Sequence, residues 1–199
     1  DEASGLITAV APGTDVSDEI FYIIRSASGN ALEVGTGLSN GIGFDITGID
    51  LTWNSNFETA IGDFAVSWIN TFTLEYVSEV GGYLHDSAGW SGQPDHRSNF
   101  TTTWNNDAHS VTWNSNYISS TSATEIADGA DVTIDGTLDS WLIHNLTYAY
   151  DAGSYGRVAF QVLNLTDEDP VLSPTGTYDD PSLYNNYGRD YRVSYTISF

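Results

Sequence analysis

The sequence predicts an all-β protein: an antiparallel up-and-down transmembrane β-barrel, of which this chain supplies about 7–8 strands. Three observations predict it. Apolar residues recur with period 2 along most of the chain. Short and long connections alternate strictly between the strands. The last stretch, Tyr191 to Phe199, is one strand with an apolar and a polar face.

That last stretch has Tyr191, Val193, Tyr195, Ile197 and Phe199 at alternate positions, with Arg192, Ser194, Thr196 and Ser198 between them. Successive side chains of a strand point to opposite faces. One face is therefore greasy and the other wet, as a strand with lipid outside and a polar lumen inside must be.

The remaining strands come in chain order. Ile49, Leu51 and Trp53 alternate with Asp50, Thr52 and Asn54 in a strand at 43–56. In the strand at 62–79 the even positions run Phe64, Val66, Trp68, Asn70, Phe72, Leu74, Tyr76, and the odd ones are mostly Ala, Ser and Thr. Strands at 96–105 and 108–120 carry Phe100, Thr102, Trp104 and Val111, Trp113, Tyr117. Those at 140–150 and 155–165 carry Leu146, Tyr148, Tyr150 and Val158, Phe160, Val162. The seventh is 190–199. Connections 57–61, 105–107 and 151–154 are short, while 81–95, 121–139 and 166–189 are long. All tight turns then lie at one end and all large loops at the other, the polarity of outer-membrane barrels. Residues 1–42 read as an outer loop region with a short hairpin: strand-like 5–11, 21–25 and 31–37, with a turn at Ser26–Asn30.

Composition narrows the function. The chain has 199 residues, 27 acids and 5 basic residues, for a net charge of −22. Every base is Arg. Recognition of nucleic acid by phosphate neutralisation is excluded, since it needs basic patches. No apolar run approaches the ~18 residues of a membrane helix, but barrel strands need only ~9–11. Cys is absent, which removes thiolate and disulfide chemistry. The amino-terminal residues Asp1–Gly5 have none of the character of a signal peptide, and the chain reads as a mature protein or a piece of a longer one.

No catalytic pattern stands out. The four His residues lack zinc-site spacing, and neither a G-x-S-x-G elbow nor a phosphate loop occurs. We expect no enzyme activity. The acids concentrate in loops. Asp167, Glu168, Asp169, Asp179 and Asp180 have the oxygen donors that Ca²⁺ takes, although no Asp-x-Asp-x-Asp-Gly loop is present; solvated acid is the simpler expectation, with no cofactor required. Trp90, Tyr178, Tyr184 and Tyr187 are the loop aromatics suited to stack on a solute ring, and they suit the aromatic girdle of a barrel equally. Trp53, Trp68, Trp104, Trp113 and Trp141 read as girdle or outer-wall residues.

Several segments resemble the carboxy-terminal third of TonB-dependent outer-membrane receptors: Arg25–Ala31, Ile46–Leu51, Gly62–Tyr76, Val162–Pro170, and Tyr187–Tyr191 before a terminal aromatic strand. The resemblance covers about residues 20–199. Residues 43–199 would then be carboxy-terminal barrel strands. It implies a cell outer membrane location in a Gram-negative cell and transport of a scarce solute such as a siderophore, vitamin or carbohydrate. Partners would be outer-membrane lipid, a small-molecule solute, and TonB acting through a plug domain not visible in this chain. It also implies that Tyr191, Val193, Tyr195, Ile197 and Phe199 form the signal read by the barrel-assembly machinery. Barrels of that family have about 22 strands around a plugged lumen, so this chain would supply wall and outer loops. Two alternatives stay open: a secreted β-sandwich carbohydrate-binding module with Ca²⁺ in its acidic loops, and a small complete porin-like barrel.

Overall fold

The computed structural model describes residues 8–10, 12, 22–35, 43–80, 83–127, 130–172, 183–185 and 187–197. The chain divides into two compact units, Asp1–Gly43 with Glu79–Tyr83, and Phe44–Ser78 with Leu84–Phe199.

The first unit holds a three-stranded sheet of β1 (Thr8–Val10), β2 (Tyr22–Arg25) and β3 (Ala31–Gly35). β2 and β3 form the expected hairpin. Its turn is closed by Gly29 N–H donating to Ser26 O at 2.9 Å and by Arg25 Nη1 donating to Gly29 O at 2.9 Å. Gly29 supplies the positive φ of +85°. β1 joins β2 in parallel, which period alone does not foretell.

The second unit is dominated by an antiparallel meander. Its strands are β4 (Phe44–Thr59), β5 (Gly62–Val80), β7 (His96–Asn106), β8 (His109–Ile118), β11 (Trp141–Asp151), β12 (Arg157–Leu163) and β13 (Asp190–Thr196). Each pairs with its neighbours in that order. The seven strands expected from period 2 are therefore these seven. A short β6 (Tyr83–Asp86) pairs with β5.

Tight turns close one end of the meander. In the β4–β5 turn, Thr59 Oγ1 donates to Gly62 O at 2.7 Å and accepts from Ile61 N–H at 3.2 Å. Gly62 has φ +123°, and a Cβ there would overlap Asn105 O. Asp107, at φ +50°, turns β7 into β8. Gly156, at φ +96°, ends the β11–β12 turn where a Cβ would press on Thr196 O.

Two expectations change. The connection 121–139 is not an irregular loop but a hairpin of β9 (Thr121–Ala127) and β10 (Ala130–Leu138). Its Thr, Val and Ile residues favour a pleated conformation, and the sequence Asp128-Gly129 between the strands is a hairpin signal. The second change is a β-bulge in β5. Gly48 pairs with Thr73 but Thr47 pairs with Glu75, which leaves Leu74 extra. An extra residue reverses the facing of every residue beyond it. Tyr76 therefore stands with Phe44 (ring centroids 5.3 Å apart) on the face opposite Phe72 and Ile49.

Candidate functional site: a two-faced wall with an inner cleft

Register assigns every strand residue to one of two faces. Trp53, Trp68, Phe100, Ser115 and His144 lie side by side across β4, β5, β7, β8 and β11. Leu146, Val162 and Tyr191 continue this face through β12 and β13. It is mostly apolar, interrupted by Asn70, Ser98, Ser115 and His144, and parts of it are exposed: Trp53 is 54% exposed, Phe160 52%, Val193 70% and Tyr195 59%. Side chains of this kind inside a two-sheet sandwich would be sealed. The face carries aromatic rows near both strand ends. Phe57, Phe64, Trp104, Tyr148, Tyr150 and Tyr195 lie near the tight turns, and Phe72, His96, Tyr117 and Tyr191 toward the long loops. Phe57 stacks on Phe64 at 5.2 Å, and Phe72 on His96 at 4.3 Å.

The opposite face is polar. Its centre is an amide network on β7, β8 and β11. Asn114 Nδ2 donates to Thr101 Oγ1 at 2.8 Å and to Asn99 Oδ1 at 3.2 Å. Asn116 Nδ2 donates to Asn114 Oδ1 at 2.7 Å, and Asn145 Nδ2 to the same oxygen at 3.3 Å. Asn99 Nδ2 in turn donates to Asn116. Thr103 and Thr112 bond across the β7–β8 pair at 3.0 Å. Such a ladder satisfies polar groups within the wall, as a face that half-excludes water requires.

Toward the long loops this polar face bears a small core of Ile118, Trp141, Ile143 and Tyr184, with Val171 and Leu183 packed on it. The segment after β12 thus folds back over the inner side. Asn164, buried with φ +50°, fixes the fold-back: its side chain accepts from Glu168 N–H and donates to Glu168 O, at 2.9 and 2.8 Å. Asp167 Oδ1 accepts from Arg189 N–H at 2.8 Å, and its other oxygen lies 3.7 Å from the Arg189 guanidinium. The Arg189 pKa is raised, first by a hydrogen bond to Tyr191 and then by the charge of Asp167.

Beside this core opens a cleft of about 430 Å³. Its lining is mixed: Ile69, Ile118, Ile143 and Leu183 are apolar, and Thr71, Arg97, Asn99, Asn116 and Asn185 are polar. By register Ile69 and Ile143 flank Asn99 and Asn116 in one row. Arg97 makes no ion pair among the described residues.

The residues expected to carry function fall in several places. Tyr191, Val193, Tyr195 and Ile197 are exposed, the three in β13 on the apolar face; Phe199 lies outside the described residues. Trp90 is half-buried in the loop 87–95, bridged to Gln93 and Ser122. Tyr184 is buried against Trp141, the rings edge-on at 5.5 Å. Tyr187 is 80% exposed. Tyr178, Asp179 and Asp180 lie outside the described residues. Asp167 is engaged with Arg189, Glu168 and Asp169 are exposed, and among the described residues no three His, Asp or Glu gather as a metal-binding group. Trp141 is a correction: it sits on the inner face, 3% exposed, with Nε1 donating to Asp169 O at 3.1 Å. Its partners come from a distant loop, so strand period could not reveal them. Sequence reading also missed Arg97 and His85. His85 is buried, its Nδ1 2.5 Å from Asp131 Oδ1, tying β6 to β10. A basic residue inside a strand, in a chain of net charge −22, was the available signal for Arg97.

No family model and no curated protein matches this sequence. Solved structures do match in fold. Two variants of the ferric enterobactin receptor PfeA of Pseudomonas aeruginosa superpose with TM-score 0.54 and 19% identity, over 77% of this chain and 22% of the receptor chain. The siderophore receptor PiuA of Acinetobacter baumannii is matched at TM-score 0.49 and 16% identity, over 79% of this chain and 22% of that one. The chain thus spans about a fifth of the length of the receptor structures it matches. What it shares with the PfeA structures is fold: its all-β antiparallel meander of sequential strands matches a part of that receptor's barrel.

Proposed function

We propose that this chain is a wall segment of an outer-membrane barrel that takes up a scarce solute, and that it has no enzymatic role. One observation carries the reading. A mostly apolar face, exposed along β4 and β13 and at Trp68, Trp113, Leu142, Tyr148, Tyr150 and Phe160 and half-buried over most of the rest, backs a hydrogen-bonded polar face. Lipid on one side and a polar lumen on the other accommodate both. The dimensions agree. From Ile49 to Phe57 the apolar phase of β4 keeps one register. At ~3.3 Å per residue and a tilt near 45° this covers about 20 Å of thickness, close to the ~25 Å apolar band of such barrels. The bulge at Leu74 ends the band toward the long loops.

Under this reading the long loops face outward and meet the solute, with exposed Tyr187 the best placed of the expected loop aromatics. β13 is the segment offered to the barrel-assembly machinery. Energy coupling by TonB would act through a plug domain outside the chain. A siderophore, a vitamin and a carbohydrate all remain in the solute class. The experiment is extraction and gel migration. The chain should need detergent to stay dispersed, and the folded form should migrate differently before and after boiling. A monodisperse chain in plain buffer with no heat-dependent shift would overturn the reading in favour of a secreted module.

A further inference from the structure

We infer that the inner-face cleft at Arg97 is a binding site for a small monocarboxylate with a compact apolar body. The cleft volume, about 430 Å³, lies in the range of small-molecule sites. Its lining combines two chemistries. Arg97 projects from β7 between Thr71 of β5 and Ile118 of β8 by register, and it has no carboxylate partner among the described residues. A guanidinium presents a planar fork that fits a carboxylate with two parallel bonds. Asn99 and Asn116 each spend one amide N–H inside the wall network, which leaves the second for a ligand oxygen. Beside these amides, Ile69 and Ile143 flank them in the same row, and with Leu183 they offer only hydrocarbon.

The charges around Arg97 weigh against a ligand with more than one negative charge. Asp50 and Asp95 flank Arg97 by register and by sequence, and both are committed to hydroxyls: Thr71 Oγ1 donates to Asp50 at 2.7 Å and Ser119 Oγ to Asp95 at 2.6 Å. They stay in place as negative neighbours. The paired fork contact with one guanidinium can hold one carboxylate, while a second ligand charge would meet only these negative neighbours. The apolar lining then adds affinity in proportion to the hydrocarbon it covers.

This inference rests on the wall reading for its biological sense, but its test is separate. The 199-residue chain is titrated with 2-naphthoate and with its uncharged isostere 2-naphthamide, in detergent, by calorimetry. The same titrations are run on Arg97→Gln and on Arg157→Gln, which changes an Arg of the same face at the tight-turn end. Far-ultraviolet circular dichroism reports that each variant is folded. The acid should bind the native chain about tenfold or more tighter than the amide. That preference should vanish in Arg97→Gln and persist in Arg157→Gln. Equal binding of acid and amide, no saturation by either, or a preference that survives Arg97→Gln would overturn the site. Loss of the heat-dependent shift in the native chain would instead overturn the wall reading, and the titration would still decide the cleft.

Discussion

Gly62 has φ +123°, and an added Cβ there would overlap Asn105 O. Two costs therefore fall on one position: a strained backbone and a clash with the neighbouring strand's carbonyl. Gly62→Val should lower unfolding stability by about 2 kcal/mol or more, read from the urea midpoint at unchanged slope. Asn114 is a different kind of key residue. It donates to Thr101 and Asn99 and accepts from Asn116 and Asn145. Asn114→Leu strands these partners on a half-buried face, and should cost about 1–3 kcal/mol in the same measurement. Its neighbour Trp113, exposed on the other face, should tolerate Trp113→Leu in lipid with a loss below about 1 kcal/mol. Residues whose role comes from local backbone needs, such as Gly62 beside Thr59, are legible in a sequence. Trp141 and Tyr184 are not, because each is buried only when a loop some forty residues away returns to it.

The strands were the most legible elements. Period 2 with clean chemistry located all seven of the meander, because each strand has two faces in different surroundings. The ends and exceptions were less so. The bulge at Leu74 hides in an apparently continuous stripe, since Phe72 and Tyr76 share parity while pairing with Ile49 and Ile46 of opposite parity. The β9–β10 hairpin was hidden for another reason: Thr121 to Leu138 mixes small, polar and acidic residues with no continuous apolar stripe. β13 gives the sharpest test at this scale. Val193 and Ser194 are adjacent but face opposite ways, paired with Phe160 and Ala159. Val193→Arg should cost about 2 kcal/mol or more of folding free energy in a bilayer, as a base does on a lipid-facing strand within the apolar band. Ser194→Arg should cost less than about 1 kcal/mol. Equal costs at the two positions would mean that the faces are not in different media.

Under the proposed wall reading, the sheet has two open edges to close. Its seven strands are antiparallel in sequence order, so the two edge strands, β4 and β13, run in the same direction. Antiparallel closure of such a sheet takes an odd number of additional strands. Unpaired edges do not persist in a bilayer, because their backbone groups have no water to bond. The fold of the wall was legible in the sequence. Its inner cleft was not, since that site assembles from four strands and a loop. The transport reading depends on the exposed aromatic face touching acyl chains. The most direct measurement is tryptophan fluorescence of single-tryptophan variants folded into vesicles whose acyl chains carry bromine, compared with quenching by acrylamide in water. Emission from Trp53, Trp68 and Trp113 should be strongly quenched by the brominated lipid and weakly by acrylamide, while the buried Trp141 stays protected from both. Strong quenching by acrylamide with none by the brominated lipid would contradict lipid contact and the wall assignment with it.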